Sequence, residues 1–322
     1  MMVRRYFYVG AIALLIALPF IATGLGQEYY IGLASRILIF AIAASSLNLL
    51  IGNGGMLSLG HAAYLGIGAY TVAILAHHAD TKTMLFGFIP GTINAWIAWP
   101  IAALVSALCA WLIGAISLRT RGVYFIMITL AFAQMFYYLF ISLETYGGDD
   151  GLSLAQRSNI GFNLSDDSHF YFVALTLFLV ITYLLHRLTD ARFGYALRGI
   201  KINEARMEAI GFATYRYKLV AFVIAGAIAG AAGALLVNHN NFISPNTLQW
   251  TQSGTLLIMI LIGGVGHLLG GIVGAALMLL MEEVLSTYTN HWHLALGFVL
   301  LAIVFFAPKG IAPLFEKMGK KT

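Results

Sequence analysis

The amino-acid sequence predicts an all-α integral membrane protein of about ten transmembrane helices. Three observations carry that prediction. Hydrophobic residues make up 60% of the 322 positions and charged residues only 10%, where a soluble domain carries roughly 25% charged residues. The apolar residues gather into runs close to the ~20 residues that a helix needs to cross a bilayer. The Lys and Arg residues sit in the connections between those runs.

The first run, Tyr6–Leu25, follows Arg4-Arg5 and has the outline of a signal peptide. It exceeds the usual ~7–15-residue apolar core of such a peptide, so it is expected to persist as the first helix. Further runs cover Leu33–Ile51, Leu57–Ala76, Ala95–Ser117, Gly122–Leu143, Phe170–Leu188, Tyr217–Val237 and His293–Ala307. The stretch Gly254–Leu285 is too long for one span and short for two. Gly263, Gly264, Gly266, Gly270 and Gly271 mark its middle, where a hairpin would bend.

Charge decides that case. With the N-terminus inside and Gly254–Leu285 counted as two short helices joined near Gly266, the inner connections hold all 18 Lys and Arg residues except Arg36, Lys82 and Arg157. Counted as a single span, the stretch would put Lys309, Lys317, Lys320 and Lys321 outside, against the positive-inside bias. Both termini are therefore expected in the cytoplasm. The whole chain, 1–322, reads as one transmembrane domain with an outer connection over 144–169 and an inner one over 188–216. The outer connection is acidic, with Glu144, Asp149, Asp150, Asp166 and Asp167. Trp96, Trp99, Trp250 and Trp292 fall at outer helix ends, where amphipathic rings favour the headgroup level; Trp111 is read as a packing residue.

The net charge of +5 forms no continuous basic stripe and serves orientation, so no nucleic-acid partner is expected. The lone Cys109 says nothing of redox compartment. Catalytic motifs are scarce. Gly319-Lys320-Lys321-Thr322 lacks the upstream glycine of a phosphate loop, and the chain is not expected to hydrolyse ATP, to carry a cofactor or to be an enzyme. His77-His78 and His291-x-His293 have metal-compatible spacing but no evident third ligand, so no metal is expected. Glu282 and Glu283, near the outer end of the ninth helix, either reach the headgroups or mark an ion path.

Uncharged polar residues inside the runs must face another helix or a wet path. Asn48 and Ser45 precede the turn Gly52-Asn53-Gly54-Gly55, and Ser58 and His61, read as part of the third helix, follow it. Thr129 and Gln134 lie in the fifth helix. Asn48, Ser58, His61, Thr129 and Gln134 are candidate path residues; interhelical bonding is the competing reading. The turn Leu261–Gly266 has similar composition and falls on the same side.

The inner connection 188–216 is the most informative segment. Phe193, Leu197 and Ile200 recur at helical spacing, as do Ala205, Met207 and Ile210. Asn203 suits an N-cap, Glu204 the positive end of the helix dipole, and Gly211 a left-handed C-terminal cap. Two short amphipathic helices are expected there, either resting on the membrane or docking a cytoplasmic partner.

Long strings now resemble a known family. LNLLIGNGGMLSLGHAAYLGIGAYT (Leu47–Thr71), RGVYFIMITLAFAQ (Arg121–Gln134), YGGDDGL (Tyr146–Leu152), the segment Gly194–Leu235, LIGGVGHLLGGIVGAAL (Leu261–Leu277) and FFAPKGI (Phe305–Ile311) are similar to the branched-chain amino acid permease family of bacterial ABC importers, LivM-type in particular. After Gly151-Leu152 the chain departs from that pattern with Ser-Leu-Ala-Gln in place of an Ile-Pro-like element. The resemblance implies a type II importer permease in the bacterial inner membrane, paired with a LivH-like permease. It also implies two cytoplasmic ATPase subunits that hold ATP and Mg, and a periplasmic substrate-binding protein. It implies that Asn203, Glu204, Ala205, Arg206, Glu208, Ala209 and Gly211 lie in the loop that contacts the ATPase. Branched-chain amino acids are the implied substrate, with urea or short-chain amides as the alternative; an ion-coupled secondary transporter and a passive channel are the rival classes.

Overall fold

A computed structural model describes residues 2–85, 89–161, 164–267, 269–288, 291–307 and 310–311. Its helices are α1 (Met2–Gly24), α2 (Tyr29–Asn48), α3 (His61–Asp80), α4 (Ala95–Ser117), α5 (Val123–Ser142), α6 (Asp167–Asp190), α7 (Arg192–Ile202), α8 (Glu204–Ala209), α9 (Thr214–Asn240), α10 (Trp250–Gly263), α11 (Gly270–Tyr288) and α12 (Trp292–Phe306). Every predicted apolar run falls on one of these, and Gly254–Leu285 divides between α10 and α11 where its glycines predict. Six helices (α2, α4, α5, α6, α9 and α11) are long and apolar enough to cross a membrane, and shorter apolar helices cover Ile12–Gly24, Trp250–Gly263 and Trp292–Ile303. The tail with Lys309, Lys317, Lys320 and Lys321, expected inside, lies outside the described residues.

Local chemistry sets several boundaries. The Asn94 side chain accepts from Trp96 N to start α4, and Asp166 accepts from Ser168 N to start α6. Helix α2 runs on into a π-helical turn, Leu49–Asn53. The third helix is shorter than expected at its start: α3 begins at His61, not near Leu57. Gly55 takes φ +67°, which turns the chain out of helical geometry, and residues 55–60 run without helix to the Gly60 cap. Ser58 therefore belongs to a buried non-helical segment, not to the third helix. Trp111 is also corrected: its side chain is 49% exposed on the outside of α4.

Helices α2 and α9 form the centre of the bundle, and α5 presents most of its surface outward. Small residues permit the central contacts. A methyl group on Gly230 of α9 would meet the Ser106 side chain of α4, and one on Gly68 of α3 would meet the Gly230 backbone. In lipid, where the hydrophobic effect gives no drive for helices to associate, such close backbone approach and interhelical hydrogen bonds hold helices together. Ser106 Oγ adds one, donating to Tyr64 O at 3.0 Å.

Contacts group the helix ends onto two opposite faces. On one, Lys201 Nζ donates to Gly52 O, Tyr215 Oη to Ala115 O and Ile311 N to Ile262 O. On the other, Tyr29 Oη meets Glu283, Arg36 meets Glu282, and His78 meets the Tyr146 hydroxyl. There the 144–169 connection is tied down: β1 (Leu152–Ser153) pairs antiparallel with β2 (Phe242–Ile243), and the Asn238 side chain accepts from Ser158 N at 2.6 Å.

Candidate functional site

The two short helices of the 188–216 connection both form. Helix α7 buries Leu197 and Ile200 against the bundle, while Phe193 stacks on Tyr217 with ring centroids 5.6 Å apart. Helix α8 is built by its caps. The Asn203 side chain accepts from Arg206 N at 2.9 Å. At the other end Gly211 takes φ +90°, its N–H reaches Glu208 O, and Phe212 N–H reaches Met207 O. That double bond is a Schellman arrangement, which a residue with a β-carbon adopts only under strain.

Helix α8 has no buried residue, so Ala205, Arg206, Glu208, Ala209 and Gly211 all stand outward. Ile202 (84% exposed) and Ile210 (63% exposed) present apolar surface on either side of it. Its underside is anchored. Glu204 accepts from Lys218 Nζ of α9 and lies 3.6 Å from Arg121 Nε at the start of α5. Glu208 accepts from Thr214 Oγ1 at 2.7 Å, so this carboxylate is engaged within the chain as well as exposed. From α7, Lys201 Nζ bonds the Gly52 carbonyl at 2.7 Å. A displacement of α8 thus bears on α5, α9 and the turn after α2.

That turn is the second element of the site. Asn48 Nδ2 donates to His267 O at 2.7 Å, and Asn48 Oδ1 accepts from Gly266 N at 2.9 Å. The two glycine-rich turns singled out from composition, Gly52–Gly55 and Leu261–Gly266, therefore touch. His61 and Ser46 share a hydrogen bond of 2.7 Å between Nε2 and Oγ, and His61 Nδ1 is buried with no hydrogen-bond partner. Ala62 N donates to Ser253 Oγ of α10 at 2.8 Å. Thr129 is buried, bonds Ile126 O in its own helix, and its carbonyl abuts Gly60. Gln134, one turn further along α5, is half-buried. Asn48, His61 and Thr129 thus gather around residues 46–62. Ser58 joins them through Gly60, whose N–H it accepts.

Sequence reasoning missed Lys201, Ser253 and Arg36 as interhelical contacts. Lys201 reads as one more basic residue of the 188–216 connection, and Ser253 stands just ahead of the apolar stretch Gly254–Leu285. No local pattern signals partners about 150 to 250 residues away in the chain.

A family model described as "branched-chain amino acid transport system / permease component" matches residues 29–306. The chain belongs to that family. The matched span runs from the first residue of α2 to the last of α12. This permease is 28% identical to the high-affinity branched-chain amino acid transport system permease protein LivM of Salmonella typhimurium, over 97% of this chain and 75% of that one. It is 26% identical to the probable LivM of Methanocaldococcus jannaschii over 85% of this chain and 90% of the relative. It also matches the probable LivH of the same archaeon, at 27% identity over about half of each chain. No solved structure matches it significantly. With the apolar helices described above, these likenesses make it a multi-pass membrane permease of the LivM type.

Proposed function

We propose that this permease forms one half of the substrate pathway of an ATP-driven importer for branched-chain amino acids. The observation that carries the reading is α8: a doubly capped helix with no buried residue, set outside an apolar bundle and anchored underneath to α9 and to Arg121 just ahead of α5. A bundle that works alone has no use for such a platform. Apolar anchors beside charges of both signs suit helix-in-groove docking, in which the charges set register.

In this reading ten helices cross the bilayer and both termini lie in the cytoplasm of a bacterial inner membrane. The face with α7 and α8 is cytoplasmic, because Arg192, Arg198, Lys201, Arg206 and Arg216 stand there. Two cytoplasmic ATPase subunits seat on that face and hold ATP and Mg, so the hydrolysis is theirs. A LivH-like permease supplies the other half of the path, a role suited to a protein related to this one. A periplasmic binding protein delivers substrate to the face that bears the 144–169 connection. ATP binding draws the ATPases together, α8 moves with its groove, and Glu204 and Lys201 pass the displacement to the helices. The bundle then changes the side on which its path opens.

Affinity purification of this chain from its native membrane tests the reading. Co-purification of an ATPase pair and a second permease, with ATP-dependent leucine uptake in vesicles, is the expected result. Transport by the chain alone, driven by an ion gradient, would refute it, and uptake of urea with none of leucine would move it to the alternative substrate class.

A further inference from the structure

On the face opposite α8, a cleft of about 580 Å³ opens where α2, α6, α9 and α10 converge. That volume falls within the roughly 300–1,000 Å³ of small-molecule sites. Its lining combines one guanidinium, Arg36, and two carboxylates, Glu28 and Asp167, with apolar surface from Leu33, Phe40 and Leu236. Arg36 uses Nη2 for Glu282 at 3.1 Å, yet its side chain is still 38% exposed, and a guanidinium has five N–H donors. Asp167 accepts from Arg157 through Oδ1, which leaves Oδ2 and half of the side chain open. The Glu28 side chain makes no capping bond to the helix that it precedes.

Each ligand class meets this lining differently. A simple anion meets two carboxylates, a simple cation meets Arg36, and a neutral amide adds no counter-charge to any of the three. A zwitterion with an aliphatic side chain satisfies all three parts: its carboxylate pairs with Arg36, its ammonium with Glu28 and Asp167, and its side chain covers the apolar surface. We propose that this cleft is a receiving site for an aliphatic α-amino acid on the permease itself. The proposal rests on the importer reading, which supplies the direction of delivery. The cleft is open and roomier than such a ligand, so binding is weak, with Kd on the order of 1 mM, as suits a site that passes its ligand on.

Saturation-transfer NMR on the full chain in nanodiscs tests this with L-leucine, its methyl ester and 4-methylpentanoate as probes. Leucine should give a saturable signal, and loss of either charge, in the ester or in the deaminated acid, should weaken it about tenfold or more. Arg36→Gln should weaken leucine binding about tenfold, Glu28→Gln by a smaller factor, and Glu282→Gln not at all, since it removes only the partner of Arg36. Glu28→Gln, which disturbs no ion pair among the described residues, carries the test if Arg36→Gln fails to fold. Equal binding of all three probes, indifference to both Arg36→Gln and Glu28→Gln, or no leucine signal would overturn the site. ATP-driven leucine uptake by the assembled importer is measured in parallel. Uptake without a site signal leaves the importer reading standing, whereas a saturable site signal without uptake removes that reading and keeps the site.

Discussion

Asn48 carries more of the fold than its position at the end of α2 suggests. Both polar ends of its side chain are engaged by the backbone of the turn between α10 and α11. Replacement by leucine would remove the acceptor of Gly266 N–H and one of two donors to His267 O, which Gly270 N also bonds at 2.9 Å, at about 0.5–1.5 kcal/mol for each hydrogen bond lost. Asn48→Leu is expected to lower the melting temperature of the detergent-solubilised permease by several degrees and to reduce assembly, read by fluorescence-detected size exclusion. A fully stable Asn48→Leu that assembles but transports nothing would instead make Asn48 a path residue. Gly52 gives a matching case. A methyl group there would lie 2.5 Å from the Gly266 Cα, so Gly52→Ala should separate the two turns and lower the yield of folded protein. Gly211→Ala, where no atom lies within 4 Å of the added carbon, should cost only the roughly 1 kcal/mol of a left-handed residue.

At the scale of elements, α8 separates coupling from stability. Glu208→Lys reverses an exposed charge, and it also removes the acceptor of Thr214. Thr214→Val removes that internal bond alone. If Glu208 serves partner contact, Glu208→Lys should abolish ATP-driven uptake and stimulation of the ATPase by loaded binding protein, while Thr214→Val keeps most of both. Equal loss in the two variants would assign Glu208 to the internal anchor, and normal uptake by Glu208→Lys would remove α8 from coupling. The caps of α8 were legible in the sequence because a cap is a matter of neighbours: Asn203 and Gly211 bracket their helix within nine positions. The start of α3 was not, since the largely apolar stretch 56–60, interrupted only by Ser58 and Gly60, does not register a φ of +67° at Gly55. Likewise the meeting of Asn48 with Gly266 was visible only as a likeness of composition between two turns, and like composition does not specify contact.

For the whole molecule, the positions of the apolar helices follow from the apolar runs, which are summed over many residues and tolerant of local error. The arrangement of helices around α2 and α9 depends on pairings such as Gly68 with Gly230, which a single sequence does not encode in any local signal. The proposed orientation has its own check. Single cysteines at Asp149 and Asp166 should react with a membrane-impermeant maleimide added to the periplasmic side, and one at Arg206 should react only after the membrane is opened. The reverse pattern would invert the bundle and take α8 away from any cytoplasmic ATPase.

The contact of Gly52 with Gly266 also bears on biogenesis. The first turn leaves the ribosome more than 200 residues before its partner does, so α2 and α3 enter the bilayer with the Asn48 amide unsatisfied. That hairpin waits without its closing contact until α10 and α11 arrive. Chains that end before residue 264 lack the closing half of the joint.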